Sequence, residues 1–283
     1  MRAAIFVPAP DYPEESDWAY EVEAAVLLRA GFSVEARPWT EPGDLAGFDL
    51  VMPLVAWGYH QDPPRWHALL DRLEREAVPT LNPVPLLRWN SDKRYLAELG
   101  TKGVATIPTR LAEALDEAAL EEARSEYGDE LVIKPPVSAS AYGTHRLGPN
   151  DLLPLEARGQ AMMVQPFLRS VAAEGEYSIM LFDGRFSHSI IKKPKAGDYR
   201  VQPHLGGTEL PCAPPAGAID LAHIALAAAP AKATYARVDM VRDNEGELAI
   251  IELELIEPAL WLQHAPDGGA SFAAALTRAL TQK

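Results

Sequence analysis

The spacing of apolar residues divides the chain into two regimes. Near the N-terminus, short apolar runs alternate with helical-period segments. AAIFV reads as a strand, and Trp18, Val22, Ala25, Val26 and Arg29 recur at helical spacing with Gly31 as a stop. SVEARPW and DLVMPLVA are strands again, followed by a helix from Arg65 to Glu76 and a short strand in PTLNP. Alternation of this kind predicts a parallel sheet covered by helices. No G-x-G-x-x-G follows the first strand, which argues against dinucleotide binding there.

After Pro85 the pattern changes. A helix from Ser91, its expected N-cap, carries Tyr95, Leu96 and Leu99 on one side and stops at Gly100. The acidic, alanine-rich segment Glu113 to Tyr127 is a second amphipathic helix with a solvated face. LVIKP, MMVQPFL, EYSIMLFDG and RFSHSIIKKP then read as strands mostly joined by turns, hence antiparallel sheet. The predicted fold class is α/β followed by α+β.

Composition narrows the function. With 283 residues, 48% hydrophobic and 23% charged, the chain is globular and long enough for two or three compact units. A formal net charge of -14 argues against a sequence-independent hold on nucleic acid, so an anionic ligand must be met locally. Cys212 is the single cysteine, which excludes an intrachain disulfide and any multi-cysteine metal knuckle and fits a reducing compartment. The apolar run in MRAAIFVPAPDY is too short for a signal peptide, and LAHIALAAAPA is interrupted by His223 and Pro230; a cytoplasmic location without membrane partners is expected.

Three stretches could carry chemistry. YARVDMVRDNEGELAIIELELIEP reads as a hairpin turning around Asp243 to Gly246. With Arg242 opposite Glu247, Arg237 faces Glu252 and Asp239 faces Ile250; Asp239, Glu252 and Glu254 then share one side, and Ile251, Leu253 and Leu255 the other. Like charges so placed repel by about 1 kcal/mol per pair in water and more where water is scarce, so a cation belongs among them. Hard oxygen ligands without histidine or cysteine suit Mg²⁺. An ordinary sheet with a wet, acidic outer face explains the hairpin equally well, and a bulge would change the geometry. Lys134 ends the buried run LVI and precedes a loop of Ser, Ala and Gly whose N–H groups could approach phosphate oxygens; a snorkelling lysine is the plainer alternative. Lys93, in the first helical turn, sits where a cation is disfavoured by the helix dipole unless an anion is near, although a solvated lysine explains it too. KKPKAGDYR concentrates Lys192, Lys193, Lys195 and Arg200, either a solvated hairpin or a bidentate anion site.

Taken in order, these pieces resemble the ATP-grasp superfamily: a helix lysine (Lys93), a strand lysine before a small-residue loop (Lys134), the hinge strand MVQPFL, the acid of GEYS, the arginine of GDYR, and Asp239 with Glu252 and Glu254. GEYSIMLFDG and GDYRVQPHLGG are similar to the glutathione-synthetase-like branch. RWNSDKRYLAEL and IELELIEPALWL resemble the subfamily that contains the D-cycloserine-forming ligase. Two departures stand out: many members carry Asn where Glu254 stands, and LVAWGYH lacks the arginine expected before its tryptophan.

The resemblance implies an N-terminal Rossmann-like (pre-ATP-grasp) αβ domain over 1–88, a small lobe and hinge over 89–168, and a C-terminal lobe with the metal and substrate site over 169–283. It implies ATP phosphates held by Lys93 and Lys134 under a cover carrying Ser138 and Ser140, adenine edges met by Gln165 and the backbone of Phe167 and Leu168, and ribose held by Glu176. Asp239, Glu252 and Glu254 would bind Mg²⁺, or Mn²⁺ in its place. Arg200 and Lys193 would act on the acyl phosphate, and Lys192, His204, Gly206 and Gly207 would contact substrate. The implied activity joins a carboxylate to an amine through an acyl phosphate, in natural-product biosynthesis that includes intramolecular cyclisation. The partner is a small amino-acid-like molecule, and a homodimer is the assembly considered. A non-catalytic nucleotide-binding regulator, or a kinase that stops at a phosphorylated product, are the alternatives.

Overall fold

A computed structural model describes residues 1–195, 197–198, 200–201 and 206–281. Strand β1 (Arg2–Val7) pairs in parallel with β2 (Ser33–Pro38) and β3 (Leu50–Met52), in the order β2-β1-β3. Successive β1 side chains go to opposite faces, as the pleat requires. Ala3 and Ile5 pack with Val26 and Leu27 of helix α1 (Asp17–Arg29), whereas Ala4 and Phe6 pack with Trp66, Leu69 and Leu70 of α2 (Pro63–Arg75). Asp62 starts α2 by accepting from the Arg65 N–H at 3.2 Å, with proline in the first turn. The strand expected in PTLNP is only a single parallel bridge between Val51 and Thr80.

Helices α3 (Val84–Asn90) and α4 (Tyr95–Thr101) replace the single helix expected from Ser91. Ser91 is not available as a cap. Its hydroxyl donates to Leu87 O at 2.7 Å and accepts from Trp66 Nε1 at 2.8 Å. Lys93 therefore lies in the turn between the helices, its N–H bonded to Pro136 O at 2.8 Å.

A second sheet, entirely antiparallel, runs in the order β4 (Arg110–Ala112), β7 (Met162–Pro166), β5 (Leu131–Lys134), β6 (His145–Leu147). Helix α5 (Glu117–Tyr127) covers it, starting later than expected because Asp116 caps the Ala119 N–H at 2.8 Å. A short helix α6 (Ser170–Ala173) leads to the third sheet, also antiparallel: β10 (Thr208–Pro211), β9 (Arg185–Lys193), β8 (Glu176–Phe182), β11 (Tyr235–Arg242), β12 (Leu248–Glu254). Helix α7 (Ala218–Ala228) packs on it. Helix α8 (Ala270–Thr281) then returns to the first sheet, where Phe272 and Leu276 share a core with Ile5, Leu27, Phe182 and Tyr235. The approach to α8 is close: a Cβ on Gly269, at φ +88°, would sit 2.8 Å from Val26 Cγ2. Among the described residues no helix is long and apolar enough to cross a membrane.

β12 is an edge strand: Ile250 bonds the backbone of Ala105 and Ile107, and beyond it side chains from the preceding helices satisfy the outer backbone. Asn90 donates to Leu253 O at 2.9 Å and accepts from Leu255 N at 2.9 Å, and Tyr95 Oη donates to Leu253 O at 3.0 Å and accepts from its N–H at 2.8 Å. Just beyond the strand, fully buried Asn82 donates to Tyr235 O and Leu255 O. Asn90→Ala strands the Leu255 N–H and removes one of the two side-chain donors to Leu253 O, so urea unfolding is expected to show a loss of about 1–3 kcal/mol. A loss below about 0.5 kcal/mol would mean that the edge is not held this way.

Candidate active site

The second and third sheets face one another across a cleft of about 810 Å³. β11 and β12 form one wall. Their register differs from the sequence expectation: Arg242 pairs with Leu248 and Met240 with Ile250, then a bulge shifts the ladder so that Asp239 faces Glu252 and Arg237 faces Glu254. The bulge turns Ile250 into the core and Ile251 into the cleft, the reverse of what strict alternation gave. Asp239, Glu252 and Glu254 nonetheless share the cleft wall.

Each of these acids has a cationic neighbour. Asp239 is 1% exposed; it accepts from Lys192 Nζ at 2.8 Å, from Arg237 Nη2 at 2.9 Å and from Ser178 Oγ at 2.6 Å. Arg237 also pairs with Glu254 at 2.9 Å and lies 5.1 Å from the Trp261 ring centroid. Lys192 also bonds Glu176, and Lys93 bonds Glu252.

Proton affinities follow this network. Burial alone would raise Asp239, but Arg237 and then Lys192 hold it below the usual carboxylate range. Burial raises Glu176 to about 7 against the pull of Lys192. Burial also works against the Glu252 carboxylate, yet Lys93 and Lys134 lower its pKa. Lys134 has no hydrogen-bond or ion-pair partner among the described residues, and burial followed by repulsion from Lys93 lowers it to about 8.

Of the sequence-derived candidates, Lys93, Lys134, Ser138, Ser140, Gln165, Phe167, Leu168, Glu176, Lys192 and Arg200 line the cleft with the three acids. The loop after Lys134 bends back through left-handed residues Ser140 (φ 50°), Ala141 (φ 60°) and Gly143 (φ 64°), and Tyr142 rests on His60 with ring centroids 5.6 Å apart. Such strained loop conformations cluster at ligand clamps. Gln165 donates to Thr109 Oγ1 at 2.8 Å. The Phe167 N–H is bonded to Glu130 O at 2.8 Å. Arg200 is braced by Asp198 at 2.9 Å.

Other expectations separate from the cleft. Lys193 is exposed and does not line it, because alternation along β9 directs Lys192 inward and Lys193 outward. Gly206 and Gly207 do not line it either, and His204 lies outside the described residues. Sequence reasoning missed Arg237, which the i, i+2 spacing to Asp239 already placed on the same strand face. It also missed His60, Trp57, Glu257 and Trp261, which reach the cleft from loops and carry no spacing signal.

Known proteins share this arrangement. The family described as "D-cycloserine synthetase DcsG, N-terminal domain" matches residues 5–82. Over 304 aligned residues the chain is 30% identical to the cycloserine biosynthesis protein DcsG of Streptomyces lavendulae, covering 98% of each. The chain belongs to the ATP-grasp ligases, beside DcsG. The crystal structure of D-cycloserine synthetase DcsG matches this ATP-grasp ligase with a TM-score of 0.83 at 27% identity, over 99% of this chain and 100% of that one. A D-alanine–D-alanine ligase from Bacillus anthracis shares the fold, with a TM-score of 0.72 at 17% identity over 100% of this chain and 98% of that one. An ATP-grasp ligase of this kind couples ATP to the joining of a carboxylate and an amine.

The donor set of the ligase fits a hard divalent ion, since Asp239, Glu252 and Glu254 present only oxygen. Among the described residues no three acids, histidines or cysteines converge into a ready cage. An ion held by these acids would require the pairs to Lys93 and Arg237 to open. The amine of Lys134 should react with an acylating reagent with a half-point near pH 8, because only the neutral amine is nucleophilic. A half-point above about 10 for Lys134, read by peptide mass spectrometry against pH, would show an ordinary lysine.

Proposed function

We propose that the ligase activates the carboxyl or related acyl group of a small amino-acid-derived substrate as an acyl phosphate, which an amine then displaces, intramolecular ring closure included. The observation that carries this reading is the convergence in one cleft of Lys93, Lys134 and Lys192 with the carboxylates of β11 and β12. The lysines neutralise a triphosphate, Glu176 takes the ribose hydroxyls, and Leu168 with Gln165 meets the adenine. Asp239, Glu252 and Glu254 would hold Mg²⁺, which when bound supplies neutralisation of phosphate charge. A solved ATP-grasp neighbour, the ligase PsnB, is described with Mg and ADP, and the Bacillus anthracis ligase with ATP.

Within the chain itself, catalysis is positioning and charge neutralisation. Arg200 and Arg237 enter the same cleft and are the cations placed to meet the negative charge that grows on the reacting oxygens. Arg237 already sits between Asp239 and Glu254, so its position is fixed before any ligand arrives. The loop from Ser138 to Thr144 covers the site and keeps water from the activated acyl group. The protein supplies no covalent nucleophile and the chemistry needs none.

Lys134→Ala and Glu252→Gln should each abolish substrate-dependent phosphate release while leaving the fold intact by circular dichroism. Full activity in either variant would remove the phosphate clamp from the account. MgATP should raise the melting temperature of the unmodified protein, because a ligand that binds only the folded state adds to its stability. Mass spectrometry of the products separates ligation, which gives an amide or ring, from a reaction that stops at a phosphorylated compound.

A further inference from the structure

Of the acids that line the cleft, Glu257 is one that forms no ion pair among the described residues, as are Glu14, Glu15 and Glu209. Glu252 is paired with Lys93, Glu254 with Arg237, and Glu176 and Asp239 with Lys192. Glu257 lines the same cleft, yet it has no hydrogen-bond or ion-pair partner among the described residues. Burial, and then Glu254, raises its pKa well above the usual carboxylate range, so Glu257 ionises where a cation accompanies it.

A second, independent observation lies beside it. His60 also lines the cleft; it is 8% exposed, and its buried Nδ1 has no hydrogen-bond partner. Burial, and then Lys93, lowers its pKa to about 4, so near neutral pH the ring is uncharged and offers one acceptor nitrogen. Ile256, next to Glu257, shares a core with Ala56 and Tyr59, the neighbours of Trp57 and His60, so the two segments meet at the cleft.

The surrounding wall is aromatic. The Tyr12 ring lies so close to the Gly58 backbone that a Cβ there would meet Tyr12 Cε2 at 3.0 Å, and Glu257 acts electrostatically on Tyr12. Trp57 lines the cleft and stacks on Trp18 with centroids 5.7 Å apart. A carboxylate, a neutral acceptor nitrogen and ring faces together suit an organic cation with several N–H donors. They suit a metal ion poorly, since no third acid or histidine joins them among the described residues.

We propose that the end of the cleft bounded by Tyr12, Trp57, His60 and Glu257 holds the ammonium group of the amino-acid-like substrate, with Glu257 as its counter-charge and His60 as a positioning hydrogen-bond partner. This rests on the ligase reading, which supplies the substrate class, and adds the place and chemistry of its recognition. The residues of this subsite are distinct from the phosphate-facing lysines, so the two ends of the reaction would be recognised by separate side chains.

The test measures ADP formation by the full chain with D-alanine, D-serine and their O-ureido and hydroxy derivatives, each beside the counterpart in which hydrogen replaces the amino group. With the compound that turns over fastest, Glu257→Gln should raise its KM by about tenfold or more while the KM for MgATP changes less than about twofold. His60→Asn should raise the same KM with a smaller change in kcat. Glu257→Asp, which keeps the charge, should recover part of the loss. An unchanged KM in Glu257→Gln, an equal rise in the KM for MgATP, or turnover of the des-amino counterpart at its parent's rate would each overturn the subsite. Failure of the ligase reading has another signature: MgATP then gives no melting shift in any variant. If MgATP binds but no amine-bearing compound turns over, the subsite is overturned while nucleotide binding stands.

Discussion

A carboxylate enclosed by protein needs positive charge beside it, and most of the cleft is organised by that requirement. Asp239 is almost wholly buried, and Arg237 and Lys192 hold it ionised against the cost of desolvation. Arg237 in turn reaches Glu254, and Lys192 reaches Glu176, so one buried acid ties both sides of the third sheet together. The same cations that stabilise the empty cleft are those a triphosphate would attract. On the proposed reading, ligand binding would be an exchange of partners, phosphate and metal for internal pairs, rather than the filling of a preformed cage.

The acids occupy useful positions only because β12 is held. It is an edge strand, and an unsatisfied edge would fray or pair elsewhere. Asn90 and Tyr95 close its outer side from helices that precede the cleft by more than a hundred residues in sequence, and Asn82 anchors the chain just beyond it. The first sheet is bound to the third through a common core of Ile5, Leu27, Phe182, Tyr235 and Phe272. By contrast, the second sheet has its own core around Leu120, Leu131, Ile133 and Val164, which contains no residue of the first sheet. Lys134 and its covering loop thus sit on the unit that is least tied to the rest, the arrangement expected of a part that closes over a ligand.

Much of this was legible from residue order. Period-2 and period-3.6 patterns separated the parallel N-terminal sheet from the antiparallel sheets that follow, because helix and strand bury different positions. The lysines, the small-residue loop and the acids of the terminal hairpin stood out because their types are unusual at strand ends and in a chain of net negative charge. Helix ends were less legible: Ser91 looked like a cap, but Trp66 from a distant helix had already claimed its hydroxyl.

By itself the sequence determined the fold class, the order of the elements and which residue types could bind phosphate and metal, since these depend on local periodicity and on charge. Tertiary structure decided the rest. The bulge that places Asp239 opposite Glu252, the inward turn of Lys192 rather than Lys193, and the entry of His60, Trp57 and Glu257 into the cleft all depend on packing between segments far apart in the chain. Spacing along a strand cannot register an inserted residue, and a loop side chain has no period, so only the folded chain shows where such groups meet.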